Sequence, residues 1–420
     1  MSRTTRDEVV VAIDVWSGEA PRRAGWLRRA GVAERSDLTF EYDQPWLDAP
    51  GFNLDPSLDL RPGEQRRPKA AELPPIFTDA APDRWGQKLL DSREVEVAKR
   101  EGRKARHFDP FDYLIRVNDA TRMGAIRLQR PSNGTFIDDS QLSVPPKADL
   151  RELEAAADRL ERGAKASDDE RAAWLEKLLA PGASLGGARP KASFENSDGA
   201  LWIAKFPAPN DNRDKGAWEW VLGQLAMQAG VTVPEHGLLT LGSKHHTFVA
   251  RRFDREGNNH RMFASAMTLL DRSDHPDDAG YLDIATAIEL HGTPTASAIG
   301  EDLEQLFRRV VFNAVTGHRD DHLRNHGFLH DGTGWRLAPA FDLNPMPEMA
   351  AHELAFDDAR TQIADLEAIA TTARHYRLTT PQAARVISEV KGAVSAWRQV
   401  AKDVGIDRDE QELVAAAFGV

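Results

Sequence analysis

The 420-residue chain contains no cysteine, which excludes together a disulfide framework, a cysteine-based zinc site and a thiol nucleophile. No apolar run approaches the ~18–20 residues that a membrane-spanning helix needs. The opening residues, Met1 to Glu8, are too acidic and too poor in apolar side chains for a signal peptide, so the chain is expected to be cytoplasmic, with no membrane partner. Positive charge is in deficit too: 54 Lys and Arg stand against 66 Asp and Glu, a formal net charge of −12. A nucleic-acid-binding face is basic, so this balance argues against broad DNA or RNA binding while leaving room for a local patch. Internal repeats and low-complexity tracts are also missing.

What is present suits a globular protein of two or three domains: the length is near three times ~150 residues, and 41% of it is hydrophobic. The first third is punctuated by Pro and Gly and holds short apolar runs, Val9 to Ile13 and Gly124 to Leu128, which suit a small β-rich domain with some helix. Between Pro131 and Pro146 the composition turns polar, through Ser132-Asn133-Gly134 and Asp138-Asp139-Ser140, as in a linker. Two helices are expected next. The first places Leu150, Leu153, Ala157 and Leu160 on one face. The second opens on a Ser167/Glu170 capping box and stops at Pro181-Gly182. A strand-rich stretch to about Arg255 then gives way to helices, one with Thr380 as N-cap and Pro381 at N1, running to about Val404. The expected class is α+β. Its divisions are a β-rich region over 1–130, linker and helices over 131–181, a strand-rich region over 182–255, and a helical region over 256–420. A β-rich piece followed by a helical one is the order of a two-lobed domain.

Candidate chemistry begins in the Gly-rich run from Gly182 to Lys191. Its small residues would let backbone N–H groups approach a polyphosphate, although such runs are also ordinary turns. It is not a Walker A loop, because the Gly-Lys-Ser/Thr ending is missing. The turn Asn196-Ser197-Asp198-Gly199 follows, then a strand with Leu201, Ile203 and Lys205 on one face. A lysine on an apolar strand needs an anion or a route to water. Loop, strand, turn and strand lysine is the order of the kinase phosphate-binding elements. Glu219, on the next helix, is placed either to orient Lys205 or to sit on a solvated face.

The most specific segment is Gly317-His318-Arg319-Asp320-Asp321-His322-Leu323-Arg324-Asn325, after an amphipathic helix through Leu303, Leu306, Phe307, Val310, Val311 and Ala314. His318-Arg319-Asp320 with Asn325 five residues past the aspartate matches the kinase catalytic-loop pattern. In that pattern the carboxylate meets the substrate hydroxyl while the amide reaches a metal on the phosphates. A hairpin is expected from Gly327 to Leu337 about the turn Asp331-Gly332-Thr333-Gly334. Asp342 follows it in Phe341-Asp342-Leu343, where a kinase carries its second metal-binding aspartate, though without the usual glycine. A rival reading takes His318, Asp320, Asp321, His322, His326 and His330 as transition-metal ligands of a phosphohydrolase.

Together, Ser184 to Lys191, Ala204-Lys205-Phe206, Arg252-Phe253-Asp254-Arg255, Asp320 to Asn325 and Phe341 to Pro345 resemble the HipA family of kinases. Leu73 to Phe77, Pro82 to Gly86 and Met123 to Arg127 resemble that family's N-terminal region, so the likeness spans nearly the whole chain. The resemblance implies a two-lobed protein-kinase-like fold and an ATP-dependent serine/threonine kinase using Mg²⁺. Asp320 would be catalytic, and Asn325 and Asp342 would hold the metal. Gly186, Gly187, Ala188, Arg189, Pro190, Lys191 and Lys205 would bind the ATP phosphates. Arg251, Arg252, Phe253, His322 and Phe341 would complete the nucleotide site. It further implies a toxin held by a HipB-like helix-turn-helix antitoxin, through which alone DNA is met. The implied protein substrates include aminoacyl-tRNA synthetases, and Ser184 would be an autophosphorylation site. Two departures stand out. Arg251 replaces a common hinge glutamate, and His318-Arg319 replaces a small polar pair. A catalytically inactive, nucleotide-binding co-repressor or scaffold stays open beside the active kinase.

Overall fold

The computed structural model describes residues 6–13, 20–31, 36–48, 52–69, 72–137, 144–182, 187–257, 259–272 and 278–419. Residues 1–5, Asp138-Asp139-Ser140 of the expected linker, and Ser184 with Gly186 lie outside them. The chain is a mixture of helix and sheet that divides into two compact units. One is formed by 1–210 with 254–263, the other by 211–253 with 264–420.

In the first unit, β1 (Arg6–Ile13), β2 (Arg22–Ala30), β3 (Asp37–Tyr42) and β4 (Ile126–Gln129) form an antiparallel sheet in the order β3-β2-β1-β4. The two apolar runs noted in the sequence pair with each other, Val10 opposite Gln129 and Ile13 opposite Ile126. Val9 to Ile13 are all buried, so this strand is covered on both faces and does not alternate. Gly25 on β2 admits no side chain, since a Cβ there would lie 2.2 Å from Glu41 O.

The longer helices of this unit are α1 (Arg84–Arg100), before β4 in the chain, and α2 (Leu150–Glu161) and α3 (Asp168–Gly182) after it. As expected, α2 buries Leu150, Leu153, Ala157 and Leu160. The α3 capping box forms: Ser167 N donates to Glu170 Oε2 at 2.8 Å and Glu170 N to Ser167 Oγ at 3.3 Å. The hairpin β5 (Lys191–Glu195) and β6 (Leu201–Lys205) closes through Asn196-Ser197-Asp198-Gly199, with Gly199 at φ +76° and its N–H on Asn196 O at 2.9 Å.

Asp254 to Phe263 also belong to this unit, and they join two of the sequence motifs. Buried Asp254 accepts from Gly124 N at 2.8 Å, and Arg255 donates to Gly124 O at 3.2 Å. Gly124 sits at φ +78°, with a Cβ position 3.2 Å from Phe263 N.

The second unit opens with α4 (Lys215–Gln228), capped by Asp214, whose side chain accepts from Ala217 N at 3.0 Å. The hairpin β7 (His236–Leu239) and β8 (Thr247–Arg251) follows. Then come α5 (Tyr281–His291) and the 21-residue α6 (Ala296–Thr316). Leu303, Leu306, Phe307, Val310 and Val311 are buried as the amphipathic pattern requires, but so are Arg308, Arg309, Phe312 and Asn313. Past its first turns, α6 is therefore a core helix enclosed on every side. The hairpin β9 (Gly327–His330) and β10 (Trp335–Leu337) has the expected register, His330 opposite Trp335.

The last helix departs from expectation. Thr379, not Thr380, is the N-cap, in a capping box with Gln382. The expected helix to about Val404 is two helices, α7 (Thr380–Val394) and α8 (Trp397–Asp403). The break at Ser395-Ala396 lets Trp397 stack on Phe418, with centroids 4.2 Å apart, and face Trp218 at 6.1 Å. Burial of an indole in an aromatic cluster outweighs helix continuity there.

Candidate functional site

In the first unit, the described end of the Gly-rich loop is fixed by α1. Asp83 caps that helix by accepting from Arg84 N at 2.7 Å, and its other carboxylate oxygen accepts from Gly187 N. Trp85 N donates to Gly187 O at 3.2 Å, while the buried Trp85 indole donates to Lys191 O at 3.1 Å. Gly187 has φ +90°, and a Cβ there would lie 2.5 Å from Lys191 Nζ. The lysine therefore lies over a residue that must be glycine.

Ala188 is exposed, Arg189 donates to Phe206 O at 3.4 Å, and buried Pro190 accepts from Phe206 N at 2.9 Å. Across the hairpin Lys191 stands directly opposite Lys205. Like charges in that position repel unless an anionic group, a protein carboxylate included, lies near them. Lys205 shares the more open face of β6 with Leu201 and Ile203, whereas Trp202 and Ala204 are buried.

In the second unit, α6 ends at Gly317 in the left-handed conformation, φ +59°, where a Cβ would lie 2.4 Å from Ala417 O. That stop releases the loop carrying Asp320. His318 is buried, and its Nδ1 meets the Asn344 backbone, O at 3.0 Å and N at 3.2 Å. Burial lowers the affinity of this ring for a proton despite nearby carboxylates. Arg319 donates to Met346 O and Met349 O, both at 2.9 Å, which accounts for an arginine at this departure from the family pattern.

The Asp320 carboxylate is half-open, 48% exposed, with His322 Nε2 at 3.7 Å. Asn325 Nδ2 donates to Asp320 O at 2.7 Å, so its amide oxygen is left as an oxygen ligand. Asp342 has φ +60°, a strained value for a residue with a side chain. Carboxylate and amide oxygens are the hard donors Mg²⁺ takes alongside phosphate oxygens and water, so Asn325 and Asp342 fit that ion.

Of the residues expected to complete a nucleotide site, Phe341 lies against Phe253, ring centroids 5.5 Å apart. Arg252 is buried. Arg251 is exposed, bonds Glu235 O through its N–H at 2.7 Å, and has its guanidinium 3.6 Å from that carboxylate.

The rival histidine cluster is dispersed. Among the described residues no group of three or more His, Asp or Glu side chains is gathered as a metal site. Besides His318, His330 Nδ1 accepts from Gly332 N at 3.1 Å, and the ring packs edge-on to Trp335. His326 is buried against Tyr281, and burial reinforced by the charge of Arg309 lowers it to about 3.

Asp321 is held by a network the sequence did not reveal. It accepts from the Tyr281 hydroxyl, from His352 Nδ1 at 3.1 Å and from Glu353 N at 2.9 Å. Tyr281 and His352 lie 40 and 31 residues away, with no local signal to mark them. Glu219 is buried on α4, which removes the solvated-face reading.

Two family models match this chain: the HipA N-terminal domain over 13–129 and the HipA-like C-terminal domain over 183–397. The second takes in every site residue from Gly187 to Asp342 and more than half the chain. The chain belongs to the HipA family. Among curated relatives, a Haemophilus influenzae protein named "Putative kinase" is 28% identical over 192 residues, 40% of this chain and 55% of its own. "Putative kinase Y4dM" of Sinorhizobium fredii is 30% identical over 205 residues, 42% of this chain and 48% of its own. The chain thus spans about half the length of the curated relatives it matches. A chain of the solved Shewanella oneidensis MR-1 complex of HipA, HipB and operator DNA superposes with a TM-score of 0.65. It is 17% identical, over 97% of this chain and 94% of that one. The fold is therefore that of the HipA chain.

Among the described residues no helix is long and apolar enough to cross a membrane.

Proposed function

We propose that this HipA-family protein is a toxin kinase that transfers the γ-phosphate of ATP to a serine or threonine of another protein, with Mg²⁺ as cofactor. The observation that carries this reading is the Asn325 Nδ2 bond to Asp320 O at 2.7 Å. It holds the Asp320 carboxylate and the Asn325 amide oxygen in one short loop, as positioning of a hydroxyl next to a metal-bound phosphate requires. Asp320 orients the attacking hydroxyl. Asn325 and Asp342 hold Mg²⁺, which neutralises charge on the transferring phosphate. Lys191, Lys205 and the loop through Gly187 meet the ATP phosphates, and Phe253 and Phe341 offer rings to the base. By likeness to the HipA–HipB–DNA complex, a HipB-like antitoxin is the partner and DNA is reached through it. An aminoacyl-tRNA synthetase is the substrate class the family resemblance favours.

Purified protein given labelled ATP, Mg²⁺ and cell lysate is expected to deposit label on protein, and EDTA to stop it. Release of free phosphate without labelled protein would overturn the kinase reading.

Ser184 is proposed as a self-inactivating site. A phosphate there adds about −1.5 to −2 charges beside the ATP phosphates and competes for Lys191 and Arg189. Peptide mapping after incubation with ATP and Mg²⁺ is expected to find phosphate on Ser184 in the wild type and none in Asp320→Asn, with ATP affinity falling as it accumulates. An unmodified Ser184 in protein that labels a substrate removes the switch and leaves the kinase.

A further inference from the structure

Beneath the loop that carries Asp320 and Asn325, α6 turns two polar side chains inward, Arg309 and, one turn on, Asn313; both are buried, as is His326. Arg309, Asn313, His318, Asn325, His326 and Phe341 help line an internal cavity of about 10 Å³, close to what one water molecule needs. Arg309 Nη2 donates to Ala338 O, but its Nε and Nη1 have no partner among the described residues. Asn313 Nδ2 donates to the Tyr281 hydroxyl at 2.8 Å, while its Oδ1 has no protein partner. Neither ring nitrogen of His326 has one.

A buried guanidinium with idle N–H groups is costly, and so are an idle amide oxygen and an idle imidazole. One small molecule that both donates and accepts offsets part of these costs. A neutral imidazole has one N–H and one bare nitrogen.

We infer that the cavity is a binding site for a single ordered water. It accepts from Arg309 and donates to Asn313 Oδ1 and to the bare nitrogen of His326. Chloride fits this wall less well, because Asn313 Oδ1 and a bare ring nitrogen both present lone pairs to it. The water ties core helix α6 to the turn at 323–326, so Arg309, Asn313 and His326 act as positioning residues for that turn. This site does not depend on the kinase reading.

High-resolution crystals of the full chain, grown in matched chloride and bromide, test it. One peak within hydrogen-bond distance of Arg309, Asn313 and His326, without bromide anomalous signal, is the expected result. An empty cavity, or an anomalous peak in it, overturns the inference. In solution, His326→Phe puts a somewhat larger aromatic ring at the site and removes both nitrogens. Amide exchange across 320–326 is expected to quicken by about tenfold, as the loss of one or two buried hydrogen bonds implies, while exchange in β1 and β2 stays at its wild-type rate. Unchanged exchange at 320–326 would overturn the tethering role.

Discussion

Asp320→Ala protein is expected to bind ATP with Mg²⁺ as the wild type does and to transfer phosphate ~10²–10⁴-fold more slowly. The structure makes this a clean separation of chemistry from folding. The Asp320 side chain is half-open, and the Asn325 amide bonds the Asp320 backbone carbonyl, which alanine keeps. Asp342 needs a different substitution. Its φ of +60° disfavours alanine, whereas asparagine tolerates the left-handed region and removes only the charge. Asp342→Asn is therefore expected to lose Mg²⁺-dependent nucleotide affinity together with transfer. Calorimetric titration of ATP with and without Mg²⁺, alongside label transfer, measures both. Transfer within tenfold of wild type in Asp320→Ala would sink its assignment. A scaffold that only bound nucleotide and antitoxin would give the same transfer trace for wild type and Asp320→Ala.

The residues of this prediction were legible because their chemistry is local. Gly317 to Asn325 packs the helix stop, the candidate catalytic carboxylate and the candidate metal-binding amide into nine consecutive positions, and spacing alone exposes that. Lys205 was legible for a related reason: a two-residue period marks its face, and the burial pattern follows it. Contacts between distant positions were not. Gly187 N donates to Asp83 across 104 residues, so a backbone amide of the Gly-rich run is engaged by the carboxylate that caps α1. The histidines of the catalytic loop, read one after another, could pass for metal ligands. Their partners are backbone groups and aromatic rings supplied by other elements, including Asn344, Gly332 and Tyr281. The break between α7 and α8 had the same origin, since only packing places Phe418 against Trp397. Periodicity reports which face of an element is apolar, and it does not report what will be packed there.

Asp321→Ala is expected to be the most destabilising single change in the catalytic loop, at about 3–5 kcal/mol by the usual cost of removing one member of a buried charged network. Asp321 has no solvent exposure, and it accepts from the Tyr281 hydroxyl, His352 Nδ1 and the backbone N–H groups of Glu353 and Leu354. Alanine would take that acceptor from all four donors, of which Tyr281, His352 and Leu354 are buried. It would also leave the segment at 352–354 joined to the loop there only by the backbone bond of Glu353 N on Arg319 O at 3.1 Å among the described contacts.

The same carboxyl makes stability depend on pH. Burial alone would raise it, but the His352 hydrogen bond and charge, with His318 and Tyr281, hold it below its ordinary value of 3.8. A carboxyl that is more acidic in the folded state stabilises fully above its unfolded value. That contribution is lost as pH falls from there through the lower folded value. Urea unfolding followed in the second unit is therefore expected to show a gap between wild type and Asp321→Ala that is constant above about pH 5 and narrows as pH drops below 3.8. A gap under about 1 kcal/mol at neutral pH, the range of a solvent-exposed pair, would show that Asp321 does not hold the loop. A gap that widened on acidification would show that its proton affinity is shifted the other way.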